Sequence, residues 1–216
     1  MKKIVLLLAL SAGLGLAAKA QDKPVSFGVK AGVAFANMDF SVMGTSLSMD
    51  TKTSFYVGAN ADIKVSELFS LQPGLTFINK GTKSSASSFD DGGFSLESEE
   101  ATLNLSYLEL PVNLLANFNA GSGKFFVGAG PYAGYALSGN TKSGGVKEDL
   151  TFGSGEDDIK RFDFGANLLT GYQLNNGLSI NAGYSFSLGN LLNDNNSGLD
   201  GKAKNKVFSV GLGFRF

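Results

Sequence analysis

Apolar and polar residues alternate one by one along most of this chain. In the last nine residues the intervening positions are Ser209, Gly211, Gly213 and Arg215, and every other position is apolar: Phe208, Val210, Leu212, Phe214 and Phe216. A repeat of two is the pleat of a β-strand, whose successive side chains point to opposite faces. The pattern therefore predicts an amphipathic C-terminal strand that ends on an aromatic residue.

Seven further stretches show the same alternation, which gives eight predicted strands. They lie at about 25–37, 53–65, 68–80, 101–118, 124–138, 160–174, 178–189 and 204–216. The connections alternate between short ones, such as Asn175-Asn176-Gly177, and long ones at 38–52, 81–100, 139–159 and 190–203. An even number of strands with short turns at one end and long loops at the other is the plan of an outer-membrane barrel. We expect an all-β, eight-stranded antiparallel transmembrane β-barrel with short periplasmic turns and long extracellular loops.

Alternation alone does not say which face points outward, because a soluble lipocalin-like barrel would bury its apolar face. Glycine and charge favour the membrane barrel. The polar face carries most of the strand glycines, and a water-exposed face would avoid glycine because it weakens strands. A narrow lumen filled by side chains has room for little else. Charged residues share this parity: Lys30, Asp62, Lys64, Lys80, Glu109, Arg161, Asp163 and Arg215.

One strand changes phase. Leu103 and Leu105 stand at odd positions, whereas Leu108 and Leu110 stand at even positions. We predict a β-bulge near Ser106 that returns both leucine sets to the lipid face.

The N-terminus predicts export. Lys2 and Lys3 precede an apolar run from Ile4 to Leu16, and a small-x-small site at 18–20 follows. This pattern is typical of a cleavable secretory signal at residues 1–20, which leaves residues 21–216 as one barrel domain. The chain has a formal charge of −1, and loss of three lysines with the signal takes it to −4. A mildly acidic chain does not favour nucleic acid as a partner.

The sequence contains no His and no Cys. These absences exclude His-based and Cys-based catalysis and the usual zinc and haem ligands. We expect no enzymatic activity, no catalytic residues, no cofactor and no bound metal.

The inward charges are the best-defined candidate site. They are Lys30, Asp62, Glu109, Arg161, Asp163 and Arg215. We predict that Lys30 pairs with Glu109 and Arg215 with Asp62, aided by Asp163 and Arg161 nearer the loop end. A buried charge must be paired, so the simpler interpretation is a satisfied plug. The alternative is a selectivity ring for a solute.

Four segments carry a family resemblance: Tyr107-Leu108-Glu109-Leu110-Pro111, Gly130-Pro131-Tyr132, Phe162-Asp163-Phe164-Gly165, and 211–216. With these segments, the chain resembles the Bacteroidetes-type outer-membrane β-barrel family, often labelled "porin family" or PorT-like. The resemblance implies an integral outer-membrane protein of OmpA- or OmpX-like build.

We therefore expect a cell outer-membrane protein of structural or surface-interaction function, with four extracellular loops and a plugged lumen. The alternative is a narrow diffusion pore for small solutes, and a third possibility is a soluble periplasmic barrel. Expected partners are outer-membrane lipid, lipopolysaccharide and the barrel-assembly machinery. The apolar row from Phe208 to Phe216 would be the signal that the assembly machinery recognises. The sequence identifies no surface partner.

Overall fold

A computed structural model of the chain describes residues 25–42, 45–86, 99–153, 155, 158–192 and 201–216. These residues form ten strands, which are β1 (Val25–Val42), β2 (Thr45–Ser48), β3 (Lys52–Lys64), β4 (Phe69–Ala86), β5 (Glu99–Ala120), β6 (Gly123–Ser143), β7 (Val146–Asp149), β8 (Phe162–Leu174), β9 (Leu178–Ser187) and β10 (Gly201–Arg215). The described part of the chain contains no helix long and apolar enough to cross a membrane.

Eight of these strands close into an antiparallel barrel. Each pairs with its neighbour in the order β1, β3, β4, β5, β6, β8, β9 and β10, and β10 pairs back with β1. The two short strands extend loops: β2 pairs with β1, and β7 pairs with β6. The predicted eight-stranded antiparallel barrel is confirmed.

The strand register fixes the tilt of the barrel. The row of paired residues that starts at Val25 passes once around the barrel and returns to β1 at Phe35, ten positions further along: Val25, Ile63, Leu71, Leu114, Ala129, Leu168, Tyr184, Phe208, Phe35. With ordinary strand rise and spacing, this offset tilts the strands by about 40° and gives a radius of about 8 Å. Such a barrel is filled by its own side chains.

The two faces of the barrel have opposite chemistry. On β3, Tyr56 is 5 % exposed and points inward, whereas its neighbours Phe55 and Val57 are 57 % and 49 % exposed on the outside. The C-terminal row takes the outer face as well, and all five members are exposed: Phe208, Val210, Leu212, Phe214 and Phe216. The orientation predicted from glycine and charge is therefore confirmed.

The ends of the barrel differ, as the gap lengths predict. One end has only tight turns and is called the short-turn rim here; at Gly177, with φ at 90°, the backbone N–H donates to the Leu174 carbonyl at 3.0 Å. At the other end, the loop rim, several strands run further than the alternation predicts. β1 reaches Val42, β4 reaches Ala86, and the β5–β6 pair extends as far as Thr102 and Lys142. Paired strands thus form a rigid extension where the sequence predicts long loops.

The predicted bulge is in the right place but has a different consequence. The register shifts between Ser106 and Tyr107, where Tyr107 pairs with Ala136 and Ser106 with Ser138, so the extra residue is Leu137 of β6. β5 itself keeps its phase, and Leu105 is fully buried on the inward face beside Tyr107. The expectation that Leu105 faces lipid is wrong.

Two predictions concern residues that are not described. The predicted signal peptide at 1–20 lies outside the described residues, as do loop residues 87–98 and 193–200.

Candidate functional site in the barrel lumen

A single lysine is the centre of the charge cluster in the lumen. Lys80 of β4 is fully buried, and its Nζ lies 2.6 Å from Oε1 of Glu109 and 2.9 Å from Oδ2 of Asp163. Both contacts are ion pairs at hydrogen-bonding distance. One cation therefore joins carboxylates from two other strands, β5 and β8.

Polar groups on further strands complete this cluster. Asp163 accepts hydrogen bonds from Ser187 Oγ at 2.7 Å, from Asn205 Nδ2 at 3.2 Å and from Tyr132 Oη at 3.3 Å. The Lys80 ammonium also lies 4.6 Å from the ring centroid of Tyr132 and 5.1 Å from that of Tyr107, within the range of cation–π attraction. Contacts from β4, β5, β6, β8, β9 and β10 meet at this level of the lumen.

The structure places Lys30 differently from the sequence-based prediction. Glu109 forms its ion pair with Lys80, and Lys30 instead lies with its Nζ 5.9 Å from the ring centroid of Tyr56. Lys30 interacts electrostatically with Glu109 at a longer range than an ion pair. The predicted direct pair between Lys30 and Glu109 is wrong.

The second predicted pair is present. Arg215 Nη2 lies 2.7 Å from Oδ2 of Asp62, and it joins β10 to β3 across β1 near the short-turn rim. The same Asp62 oxygen accepts a hydrogen bond from Ser70 Oγ at 3.3 Å.

Arg161 does not join the carboxylates. Its guanidinium lies between two aromatic rings, 5.0 Å from the centroid of Phe152 and 5.5 Å from that of Tyr135. Nη1 of Arg161 donates to the Ala136 carbonyl at 3.3 Å. The arginine therefore holds the segment around Phe152 against the loop rim. Grouping Arg161 with Asp163 is wrong, because planar guanidinium groups stack on aromatic faces as readily as they pair with carboxylates.

An apolar cluster, called the apolar cap here, packs beside the charge cluster and continues toward the loop rim. Its buried members come from inward positions of the strands and from the segment after β9: Ala34, Ala36, Met38, Tyr56, Ile78, Leu105, Tyr107, Ala136, Leu191, Ala203 and Val207. Partly buried loop residues pack on it, including Leu150, Phe152, Ile159 and Leu192. The cap places packed, mostly apolar side chains at this end of the lumen.

The short-turn half of the lumen is different, because it contains a polar cavity of about 110 Å³. Amide, hydroxyl and charged groups line it, among them Lys30, Asn60, Gln72, Asn113, Asn181 and Arg215. A water molecule needs about 10–15 Å³ of such space and two to four polar partners, so this cavity has room for several.

Close packing against neighbouring backbone and against rings leaves no room for a side chain at two of the inward glycines. A Cβ at Gly165 would lie 2.1 Å from the Phe186 carbonyl oxygen and 2.7 Å from the ring of Tyr132. A Cβ at Gly32 would lie 2.2 Å from the Val210 carbonyl oxygen and 2.8 Å from the ring of Tyr56. Real Cβ atoms do not approach other atoms so closely, which agrees with the argument from a crowded lumen.

The role of Lys80 is the main feature that sequence reasoning missed. Its inward parity was evident, but its partner depends on the offset of ten residues around the barrel, which alternation does not reveal. With that offset known, Lys80, Asp163 and Asn205 fall at one level although they lie on three separate strands.

A closed barrel with an apolar outer face, a charged and glycine-rich interior and one rim of tight turns is the architecture of bacterial outer-membrane proteins. A family model described as "Outer membrane protein beta-barrel domain" matches residues 19–193. The chain belongs to this family, and it is a protein of the Gram-negative outer membrane. The match ends before β10.

Solved structures of small outer-membrane proteins are similar to this chain. Neisserial surface protein A is 15% identical, with 89% of this chain and 99% of that chain covered and a TM-score of 0.47. The outer-membrane protein OprG of Pseudomonas aeruginosa is 12% identical, with 88% and 95% covered and a TM-score of 0.45. The attachment invasion locus protein Ail of Yersinia pestis is 14% identical, with 88% and 98% covered and a TM-score of 0.41. No curated protein matches the sequence.

Proposed function

We propose that this protein is a sealed barrel that acts as a structural and surface-interaction protein through its loop-rim extension. The observation that supports this proposal most directly is the ion-pair layer in the lumen. Nζ of Lys80 lies 2.6 Å from Glu109 and 2.9 Å from Asp163, and these contacts join three strands. The apolar cap adds a second barrier on the loop side. A solute would have to separate buried ion pairs and then cross hydrocarbon, and each step carries a desolvation cost of several kcal/mol, as an order of magnitude.

The alternative is a narrow diffusion pore, and the polar cavity next to Lys30 and Arg215 is the observation that favours it. Single-channel recording in planar bilayers separates the two functions. A sealed barrel gives no steady open level, whereas a pore gives a defined level that shifts when Glu109→Gln or Lys30→Gln changes the lumen charge. Lys64→Gln is the matched control, because Lys64 lies exposed at the short-turn rim in a pair with Glu67.

The surface role rests on the rigid extension and on the expectation that the loop rim is extracellular. Lys147 and Glu148 are exposed on the β6–β7 hairpin. Because the chain has no Cys, one introduced at Lys147 is a unique attachment point for a photocrosslinker on intact cells. Glu67→Cys at the short-turn rim is the control. The proposal requires adducts, or labelling by a membrane-impermeant thiol reagent, from Lys147→Cys alone; equal labelling from both variants contradicts it.

Recognition of the C-terminal row by the barrel-assembly machinery is also part of this proposal, as is membership of the Bacteroidetes-type branch. Phe216 is 73 % exposed on the outer face, and its backbone N–H donates to the Phe27 carbonyl at 2.9 Å. Phe216→Ala should lower the yield of folded barrel in cells while leaving refolding from urea in detergent unchanged. A loss of equal size in both settings would assign Phe216 to barrel closure instead.

A further inference from the structure

Three lysines form a row on the outer face of β10 at the loop rim. Lys202, Lys204 and Lys206 alternate with Ala203, Asn205 and Val207, which are buried inward. The lysines therefore take the outward face, in line with the apolar row that begins at Phe208. The outer surface of one strand changes from hydrocarbon to ammonium groups within two residues.

The level of this row is set by the aromatic residues next to it. Phe208 pairs with Phe35, and their ring centroids lie 6.2 Å apart on the outer surface. Aromatic side chains at this position mark the boundary between hydrocarbon and headgroups. With strands tilted by about 40°, each two-residue step rises about 5 Å along the barrel axis.

Lys206 and Lys204 therefore stand about 5 Å and 10 Å beyond the aromatic boundary. The polar headgroup region on each side of a bilayer is about 5–8 Å thick. Long lysine side chains adjust their ammonium groups by several ångströms while the alkyl stems stay on apolar surface. Lys206 and Lys204 are thus within reach of headgroup phosphates on the side of the membrane that the loop rim faces, and Lys202, about 15 Å beyond the boundary, adds positive charge above them.

The described residues of this seam carry more positive than negative charge. On β1, the neighbouring strand, Asp39 forms an ion pair with Lys206. In register with the row, Asn37 pairs with Lys206 and Asp39 with Lys204, so among the described residues of the β1–β10 seam three lysines face one carboxylate. A positive charge on a surface that touches lipid is complementary to anionic headgroups.

We propose that Lys202, Lys204 and Lys206 form a binding site for the phosphate groups of an anionic glycolipid in the outer leaflet, on the outer surface of the β1–β10 seam. The ammonium groups donate charge-assisted hydrogen bonds to phosphate oxygens while Phe208 and Phe35 contact the acyl chains. This proposal rests on the outer-membrane location, on the apolar outer face and on the proposed extracellular position of the loop rim, and it is independent of whether the lumen is sealed.

The test is binding of diphosphoryl lipid A to the refolded full barrel in zwitterionic detergent, measured by native mass spectrometry. Lys202→Gln/Lys204→Gln should weaken binding about tenfold or more, since each surface lysine contributes about fivefold toward anionic headgroups. The matched control is Lys142→Gln/Lys147→Gln, which removes the same charge from exposed positions of the β6–β7 hairpin. The affinity of this control variant for diphosphoryl lipid A should stay within about twofold of the wild-type affinity.

Two further arms keep the test decisive. Lipid A without phosphates should bind wild type and both variants equally, and inorganic phosphate at the lipid concentration should not displace diphosphoryl lipid A. Equal weakening in the two double variants, or displacement by inorganic phosphate, overturns the proposal, because either result means nonspecific anion binding. If the double variant does not refold, Lys204→Gln alone replaces it and should also weaken binding. Wild-type binding should in addition fall between 50 and 500 mM salt, roughly the range over which screening becomes strong.

Discussion

Nζ of Lys80 lies 2.9 Å from Oδ2 of Asp163, although the two residues are on strands separated by β5 and β6. Because Glu109 contacts the same ammonium at 2.6 Å, removal of this one side chain leaves two buried carboxylates close together without their cation. The stability of the barrel should therefore depend on Lys80 more than on any exposed lysine.

Lys80→Met tests this dependence. Loss of one partner from a buried ion pair costs about 3–5 kcal/mol, so we expect a fall of that size in the free energy of unfolding by urea in lipid vesicles. Lys64→Met is the matched control, because Lys64 is exposed and the free energy should stay within about 0.5 kcal/mol of wild type. If both variants unfold at the same urea concentration, the Lys80 layer does not stabilise the barrel.

Arg215 and Asp62 should be coupled energetically across the β1 strand. A double-mutant cycle with Arg215→Gln and Asp62→Asn should give a coupling of about 1–3 kcal/mol, because the pair is largely buried at 2.7 Å. The exposed pair of Lys64 and Glu67 provides the comparison, with a coupling of at most about 0.5 kcal/mol. A coupling near zero for Arg215 and Asp62 would mean that the contact contributes nothing to folding.

Gly165 should tolerate no side chain. In Gly165→Ala the new Cβ would lie 2.1 Å from the Phe186 carbonyl oxygen and 2.7 Å from the Tyr132 ring, and the ring cannot move away without losing its contact with Asp163. Overpacking of this kind costs about 1–3 kcal/mol. Gly134→Ala is the control, because its Cβ would find no atom closer than 3.4 Å. The two variants are compared by urea unfolding, and equal stability would show that the lumen near Tyr132 has spare room.

Phe152 should hold its loop segment on the cap through Arg161. In Phe152→Ala the arginine loses one of its two aromatic faces, at 5.0 Å, and the cap loses a packed ring. Amide hydrogen exchange should then speed up at Ile159, whose N–H donates to the Thr151 carbonyl at 3.1 Å. Phe55→Ala, which removes a ring exposed on the outer face of β3, should leave that amide unchanged. Unchanged exchange in Phe152→Ala would mean that the segment is held by other contacts.

The number of barrel strands and the assignment of inner and outer faces could be predicted, because both follow from the alternation of apolar and polar residues. Residues 208–216 alternate without interruption, and their exposed side is the apolar one in the structure. Charge parity also placed Asp62 and Arg215 inside, and because these residues are on strands that flank β1 near one rim, their pairing could be predicted as well.

The partners of Lys30 and Glu109 could not be predicted in the same way. Register around a closed barrel accumulates over eight pairings, and an offset of ten residues brings Lys80 rather than Lys30 to Glu109. The apolar cap could not be predicted, because Leu105 stands at an inward-pointing position of β5 but is apolar like the residues that face lipid. Only the register shift at Leu137 shows that β5 keeps its phase.

The orientation of the two faces is the central claim, and lipid quenching of tryptophan fluorescence tests it most directly. The chain contains no Trp, so Val57→Trp and Tyr56→Trp each introduce a single reporter at adjacent positions of β3. In vesicles of brominated phospholipid, Val57→Trp should be strongly quenched and Tyr56→Trp should keep its fluorescence. Strong quenching of Tyr56→Trp with little change in Val57→Trp would contradict the account.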